Sequence, residues 1–160
     1  MAIGPLRRSP RGMRAARGGL QQRPERAVVL TVDVSGVRVL VADDEDDIRA
    51  LVALAVRKAG CTVAGSVADG GAALDFARTE LPDLAVLDVS MPGATGLEVC
   101  AALRADPATA RIPILLLSAG ASLDDVAAGL AAGADAYLAK PFQISGLVHQ
   151  VQALMARQAA

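Results

Sequence analysis

Apolar positions run along this chain in two alternating rhythms: short continuous runs, and longer stretches spaced three and four residues apart. The first clear run, residues 37–42 (VRVLVA), suits a buried strand, and the acid-rich stretch from Asp43 to Asp47 ends it. Ile48, Leu51, Val52, Ala55 and Val56 then recur at helical spacing, and Gly60 stops that helix. The unit repeats in kind. Residues 61–67 predict a strand, 71–79 a helix, and 84–87 a strand ending at Asp88, with Pro92 and Gly93 making a turn before a helix over 96–104. Residues 112–117 predict a strand ending at Ser118. A helix over 122–131 follows, capped by Ser122, with Asp124 and Asp125 in the first turn where the helix dipole favours anions. Residues 136–139 make a short strand ending at Lys140. The last helix, 144–157, presents Ile144, Leu147, Val148, Val151, Leu154 and Met155 on one face.

Five strands alternating with five helices, the strands being continuous Val, Leu and Ile, predict a parallel sheet covered on both faces. Right-handed crossovers make it a doubly wound α/β fold, whose site lies beyond the carboxyl ends of the strands at the switch point.

Charge divides the chain. The overall balance of 16 basic and 17 acidic residues hides seven Arg against one Glu in residues 1–27, and nine basic against sixteen acidic residues in the remainder. Residues 1–36 are therefore read as an Arg-rich extension, expected to be disordered because its Gly, Pro, Arg and Gln offer no apolar period, and 37–157 as the folded domain. Within the extension, the β-branched run 28–34 fits an added strand, a linker or translated sequence ahead of the natural start. Arg clusters neutralise phosphates, yet no folded reader accompanies this one, so no direct DNA binding is expected. Two Phe, one Tyr and no Trp leave too few rings for a face that stacks single-stranded bases.

No apolar run reaches the roughly 18 to 20 residues of a membrane span. The Arg-rich start lacks the apolar core of a secretory signal; Arg7, Arg8, Arg11, Arg14 and Arg17 with no acid before Glu25 fit a transit peptide, against which the single Ser and the Pro and Gly content argue weakly, and a cytoplasmic location and no membrane insertion are expected. Cys61 and Cys100 show neither metal spacing nor a disulfide framework and are read as small buried hydrophobes.

The predicted strand ends carry Asp43 and Asp44, Asp88, Ser118 and Lys140. Converging carboxylates repel one another unless one takes a proton or a cation joins them. Oxygen-only donors with no His select a hard cation, Mg²⁺ or Mn²⁺. Phosphoryl transfer uses such a set: a carboxylate nucleophile, a metal, and a Lys and a hydroxyl for the remaining oxygens. Asp88, on the central strand, is the natural nucleophile. Each feature has a plainer reading alone, as a solvated helix start, a turn or a cap; their common position at one sheet edge is what joins them.

The segments 39–49 (VLVADDEDDIR), 87–96 (LDVSMPGATG), 117–119 (LSA) and 137–142 (YLAKPF) together resemble the response-regulator receiver domain of two-component signalling, a flavodoxin-like fold, over residues 37 to 157. The resemblance implies Asp88 as phosphoacceptor, Asp44 as a direct metal ligand, Asp43 acting through water, and the Ser90 backbone carbonyl as a further ligand. It implies Ser118 as the switch hydroxyl, in place of the commoner Thr. Lys140 would be the phosphate-pairing cation, Tyr137 the aromatic that rotates with activation, and Lys140-Pro141 a cis peptide aiming the Lys inward. Ser90 and Gly120 occupy positions that tune dephosphorylation in the family.

On this reading a sensor histidine kinase or phosphotransfer protein donates the phosphoryl group. Only three residues follow the last predicted helix, so output is expected to pass to another protein, as in a stand-alone regulator. A pseudo-receiver that binds partners without phosphorylation competes, but the complete set of acids, hydroxyl and Lys opposes it. A haloacid-dehalogenase-type phosphatase also competes, and it requires a second acid two residues after the nucleophile, where this chain has Ser90. His149 lies off the apolar face of the last helix and is read as a surface residue rather than a phosphorelay histidine.

Overall fold

The computed structural model describes residues 34–159; the expectations for residues 1–33 lie outside the described residues. Within them, β1 (Arg38–Ala42), β2 (Thr62–Val67), β3 (Leu84–Asp88), β4 (Ile114–Ser118) and β5 (Ala136–Ala139) alternate with α1 (Asp46–Lys58), α2 (Gly70–Glu80), α3 (Gly96–Ala105), α4 (Leu123–Ala131) and α5 (Ile144–Ala159). Every pairing is parallel, and the sheet order is β2-β1-β3-β4-β5. The chain winds outward from β1 to β2, then returns past β1 to β3 and continues the other way. The switch point therefore falls between β1 and β3, as the doubly wound class requires.

The two-residue period of the strands splits the core into two layers. Val39, Val41, Val86, Leu115 and Leu117 face α1 and α5, where Val52, Val56, Leu147, Val151 and Leu154 meet them. Leu40, Ala85, Leu87, Ile114 and Leu116 face the other way, against Ala73, Ala77, Val99, Cys100 and Leu103 of α2 and α3. All of β3 and β4 is buried, which is why both read as unbroken apolar runs. Burying each such Val or Leu side chain contributes roughly 1.5–3 kcal/mol.

Some element ends differ from expectation for local reasons. Cys61, expected to open the second strand, instead closes α1: its N–H donates to Val56 O at 3.1 Å, and Gly60, at φ +96°, donates to Arg57 O at 3.0 Å. This left-handed closure suits Gly because no Cβ is present to clash. Ile112 donates to Thr109 O at 3.1 Å in a turn, and Pro113 has no N–H for a ladder, so β4 starts at Ile114. Upstream, Val34 is buried in the α1/α5 layer and accepts from the Val37 N–H at 3.1 Å, so the packed unit begins ahead of the expected boundary at Val37. α5 likewise runs past Arg157 to Ala159.

Helix α4 is held differently from the others. Gly129 alone among its residues is buried, and Leu123 and Leu130 are 88% and 50% exposed. At its start Ser122 accepts from the Asp125 N–H at 3.1 Å. Beyond its end, Arg104 of α3 donates to Gly133 O at 2.9 Å and to Ile112 O at 2.7 Å, and pairs with Asp135 at 2.8 Å.

Candidate functional site

Strand register assembles the site. Ala42 pairs with Leu87, so the residues that follow, Asp43 and Asp88, emerge abreast at the switch point. Asp88 pairs with Leu117, which sets Ser118 one step further on, and Ser118 pairs with Ala139, which leads into Lys140. The Lys140 N–H donates to Ser118 O at 2.7 Å. Its Nζ lies 2.9 Å from Asp43 Oδ2, 3.2 Å from Asp88 Oδ1 and 3.4 Å from Glu45 Oε1. The Lys140–Pro141 peptide is cis.

Burial sets the electrostatics. Asp43 and Asp88 are 0% and 3% exposed, while Asp44 lies in the open. Desolvation, then the charge of Asp43, pushes Asp88 up to about 6 despite the opposing pull of Lys140. For Lys140, burial favours the neutral amine, but the contacts with Asp43 and Asp88 outweigh it and raise its pKa.

The acids have room for a cation. Asp43 Oδ1 accepts from the Glu45 N–H at 2.9 Å, whereas Oδ2 faces Lys140 at ion-pair distance without a directed hydrogen bond and has no hydrogen-bond partner. That oxygen has the Lys140 ammonium as its ionic partner and keeps lone-pair capacity that a divalent cation could take. One carboxylate oxygen from each of Asp43, Asp44 and Asp88 lies within 4.8 Å of the other two. Three hard oxygens carrying negative charge fit Mg²⁺ or Mn²⁺.

Gly120 joins the remaining polar groups. Ser118, 9% exposed, accepts at Oγ from the Gly120 N–H at 3.0 Å, and the Tyr137 hydroxyl donates to Gly120 O at 2.6 Å. Ser90 is exposed in the loop after Asp88. That loop is closed by Gly96, whose N–H donates to Val89 O at 2.8 Å and whose Cα lies so close to the Asp88 carbonyl that a side chain would collide with it.

Several supporting residues escaped the sequence reading. Thr95 and Glu98 form a capping box that starts α3, a signal legible as T-x-x-E. Arg49 donates to Asp43 O and to Asp46, at 2.9 and 2.8 Å, and so fixes the turn that carries the acids. Glu45 reaches Lys140 from outside, which spacing alone gave no reason to expect. Cys61 and Cys100 are buried, and burial raises both thiols, in keeping with inert hydrophobes. His149 is exposed.

A doubly wound sheet with a lysine-bridged acid cluster at its switch point defines an α/β domain whose charged groups are gathered at the carboxyl ends of its strands. The family model of the response regulator receiver domain matches residues 39–152, and the chain belongs to that family. The transcriptional regulatory protein PrrA of Mycobacterium tuberculosis is 46% identical over 125 residues, covering 78% of this chain and 52% of that protein. A response regulator from Chloroflexus aurantiacus superposes with TM-score 0.71 at 37% identity, covering 76% of this chain and 99% of that one. The chemotaxis response regulator CheY4 of Vibrio cholerae gives TM-score 0.70 at 34% identity, covering 75% and 99%. The chain spans about half the length of the curated relatives it matches.

Proposed function

We propose that Asp88 accepts a phosphoryl group from the phosphohistidine of a sensor histidine kinase or phosphotransfer protein, and that the modified domain signals through a changed partner-binding surface. The observation that carries this reading is a buried carboxylate, Asp88, held 3.2 Å from the Lys140 ammonium beside two further acids. With its pKa near 6, Asp88 is mostly ionised at neutral pH and available as a nucleophile. Its oxygen forms the new P–O bond as the P–N bond of the phosphohistidine breaks. Mg²⁺ or Mn²⁺ held by Asp43, Asp44, Asp88 and the Ser90 carbonyl would offset the charge on the phosphoryl oxygens. Lys140 is positioned to transfer its pairing from the Asp88 carboxylate to a phosphoryl oxygen. Ser118, whose Oγ accepts from the Gly120 N–H, can donate its own O–H to the same group, and a shift of Ser118 toward it would strain the loop that Tyr137 holds.

The acyl phosphate biases an existing equilibrium, and a protein target reads the result. The receiver segment works as a signalling switch rather than a turnover enzyme. PrrA is a transcriptional regulatory protein, which bears on the expectation of no DNA contact; our reading confines that expectation to the described residues. They hold nine basic and fifteen acidic residues, a balance that repels a polyanion. No helix among them is long and apolar enough to cross a membrane, and we place the domain in the cytoplasm because the proposed phosphoryl donor is a sensor histidine kinase.

The test is labelling from a small phosphodonor. Wild-type protein with Mg²⁺ takes the label, and Asp88→Asn or excess chelator abolishes it. Label persisting on Asp88→Asn would refute the assignment, and a wild-type protein that neither labels nor binds beryllofluoride would favour the pseudo-receiver.

A further inference from the structure

The loop that leaves Asp88 and carries Ser90 meets the start of α2 along a seam of bare backbone. Gly70, the first residue of α2, is buried, and its N–H donates to Pro92 O at 3.0 Å. A Cβ on Gly70 would overlap the Ala94 carbonyl oxygen and lie 2.6 Å from its carbon, so a side chain there collides with loop backbone. From the loop side, Gly93 takes φ +85°, and a Cβ on it would lie 3.4 Å from Gly71 N and 3.6 Å from Asp69 Oδ1. That Asp69 oxygen caps α2 by accepting from the Ala72 N–H at 2.7 Å. Glycine is a poor helix former, so closeness to the loop, and not the helix, accounts for Gly70. Gly71 is the contrast: it is exposed, and a Cβ on it would approach Asp69 Oδ1 at 3.3 Å and no atom of the loop.

We infer that Gly70 is a positioning residue for the cation site: by letting α2 close on Pro92 and Ala94, it fixes the loop whose Ser90 carbonyl would hold the ion. This rests on the proposed function, which gives that carbonyl to Mg²⁺ or Mn²⁺ beside the three acids. Met91 is buried in the α2/α3 layer and Gly96 closes the far end of the loop, but Ser90, Pro92 and Gly93 are exposed. For that exposed stretch the Gly70 N–H is the tie to another element. A backbone carbonyl serves a small divalent cation only where the chain is held, because the ion demands near-fixed oxygen positions. A helix with no ligand of its own thereby sets the affinity of the site.

Titration of the full chain with Mn²⁺, followed by loss of the free ion's paramagnetic resonance signal, reads the site without any phosphoryl transfer. Gly70→Ala should weaken binding roughly 10-fold or more, as loss of support behind a ligand does. Labelling of Asp88 by phosphoramidate should fall at low Mg²⁺ and recover at saturating Mg²⁺. Gly71→Ala, the same change one residue on, should bind as wild type does. So should Arg104→Ala, a destabilised variant at the opposite end of the sheet, which separates lost affinity from lost stability. If Gly70→Ala does not fold, the double variant Gly70→Ala with Ala94→Gly, whose loop peptide can turn its carbonyl aside, is titrated in its place. Weakened binding in that protein supports the inference equally. Wild-type affinity in the variant titrated overturns it, as does equal weakening in Gly71→Ala or Arg104→Ala. A wild-type protein that binds no Mn²⁺, or binds it regardless of Asp44→Asn, sinks the cation reading and the inference with it. Wild-type binding that Gly70→Ala leaves untouched sinks the seam alone, and label on Asp88→Asn sinks the phosphoacceptor reading alone.

Discussion

Asp88 carries an electrostatic penalty that goes with the proposed role of a buried nucleophile. Its pKa is raised from 3.8 to about 6, so the folded state holds the proton more tightly than the unfolded chain does. The associated stabilisation is fully present below about pH 4, and it is lost as pH rises through about 6. At neutral pH the ionised side chain therefore costs about 3 kcal/mol relative to an unperturbed carboxylate. Asp88→Asn should raise the urea midpoint at pH 7.5, equivalent to about 1–3 kcal/mol, and the gain should shrink below pH 6 and vanish near pH 4. A gain independent of pH would place its origin elsewhere. The acids and Lys140 were legible in the sequence because each directly follows a strand, where chain position dictates spatial position. The contacts of Glu45, Gly129 and Gly120, the last marked by the resemblance alone, were not, because they depend on how far a side chain reaches or how closely a helix approaches.

At the scale of elements, α3 and α4 end at one clamp. Arg104 donates to three backbone carbonyls, Gly133, Ala110 and Ile112, and pairs with Asp135, whose carboxylate also accepts from the Ile114 N–H at 2.9 Å. Arg104→Ala removes the side-chain donor from those three carbonyls, leaves Asp135 with the Ile114 N–H alone, and should lower stability by about 2–4 kcal/mol in urea unfolding. A loss under half a kcal/mol would show that water replaces the guanidinium freely. The sequence placed every element here, since period and caps are local signals, but the ends of α1 and the start of β4 moved by a residue or two. Helix closure by Gly60 and the missing N–H of Pro113 are hydrogen-bonding facts that hydrophobic spacing does not encode.

At the scale of the described residues as a whole, the parallel order β2-β1-β3-β4-β5 puts Asp43, Asp88, Ser118 and Lys140 at one edge of the sheet and the Arg104 clamp near the starts of β4 and β5. Stability should be distributed accordingly. Amides of α4 should exchange with solvent sooner than those of α5, whose Leu147, Val151 and Leu154 are buried; equal protection would mean that α4 is held by more than Gly129. The doubly wound fold was readable because both layers of the core are written into the alternation of single strands.

Lys140 has one further consequence, for how the protein matures. By lying between Asp43 and Asp88, its ammonium already supplies a positive charge to the acids of the site. Unlike a zinc finger, whose folding waits for its metal, this chain can complete its sheet during synthesis and take up an ion afterwards. Chelator should therefore abolish labelling while leaving the thermal midpoint nearly unchanged, and a large fall in the midpoint would show that assembly depends on the ion. On the proposed function the domain would then be intact before it binds an ion, and would become competent for phosphorylation only once the ion is bound.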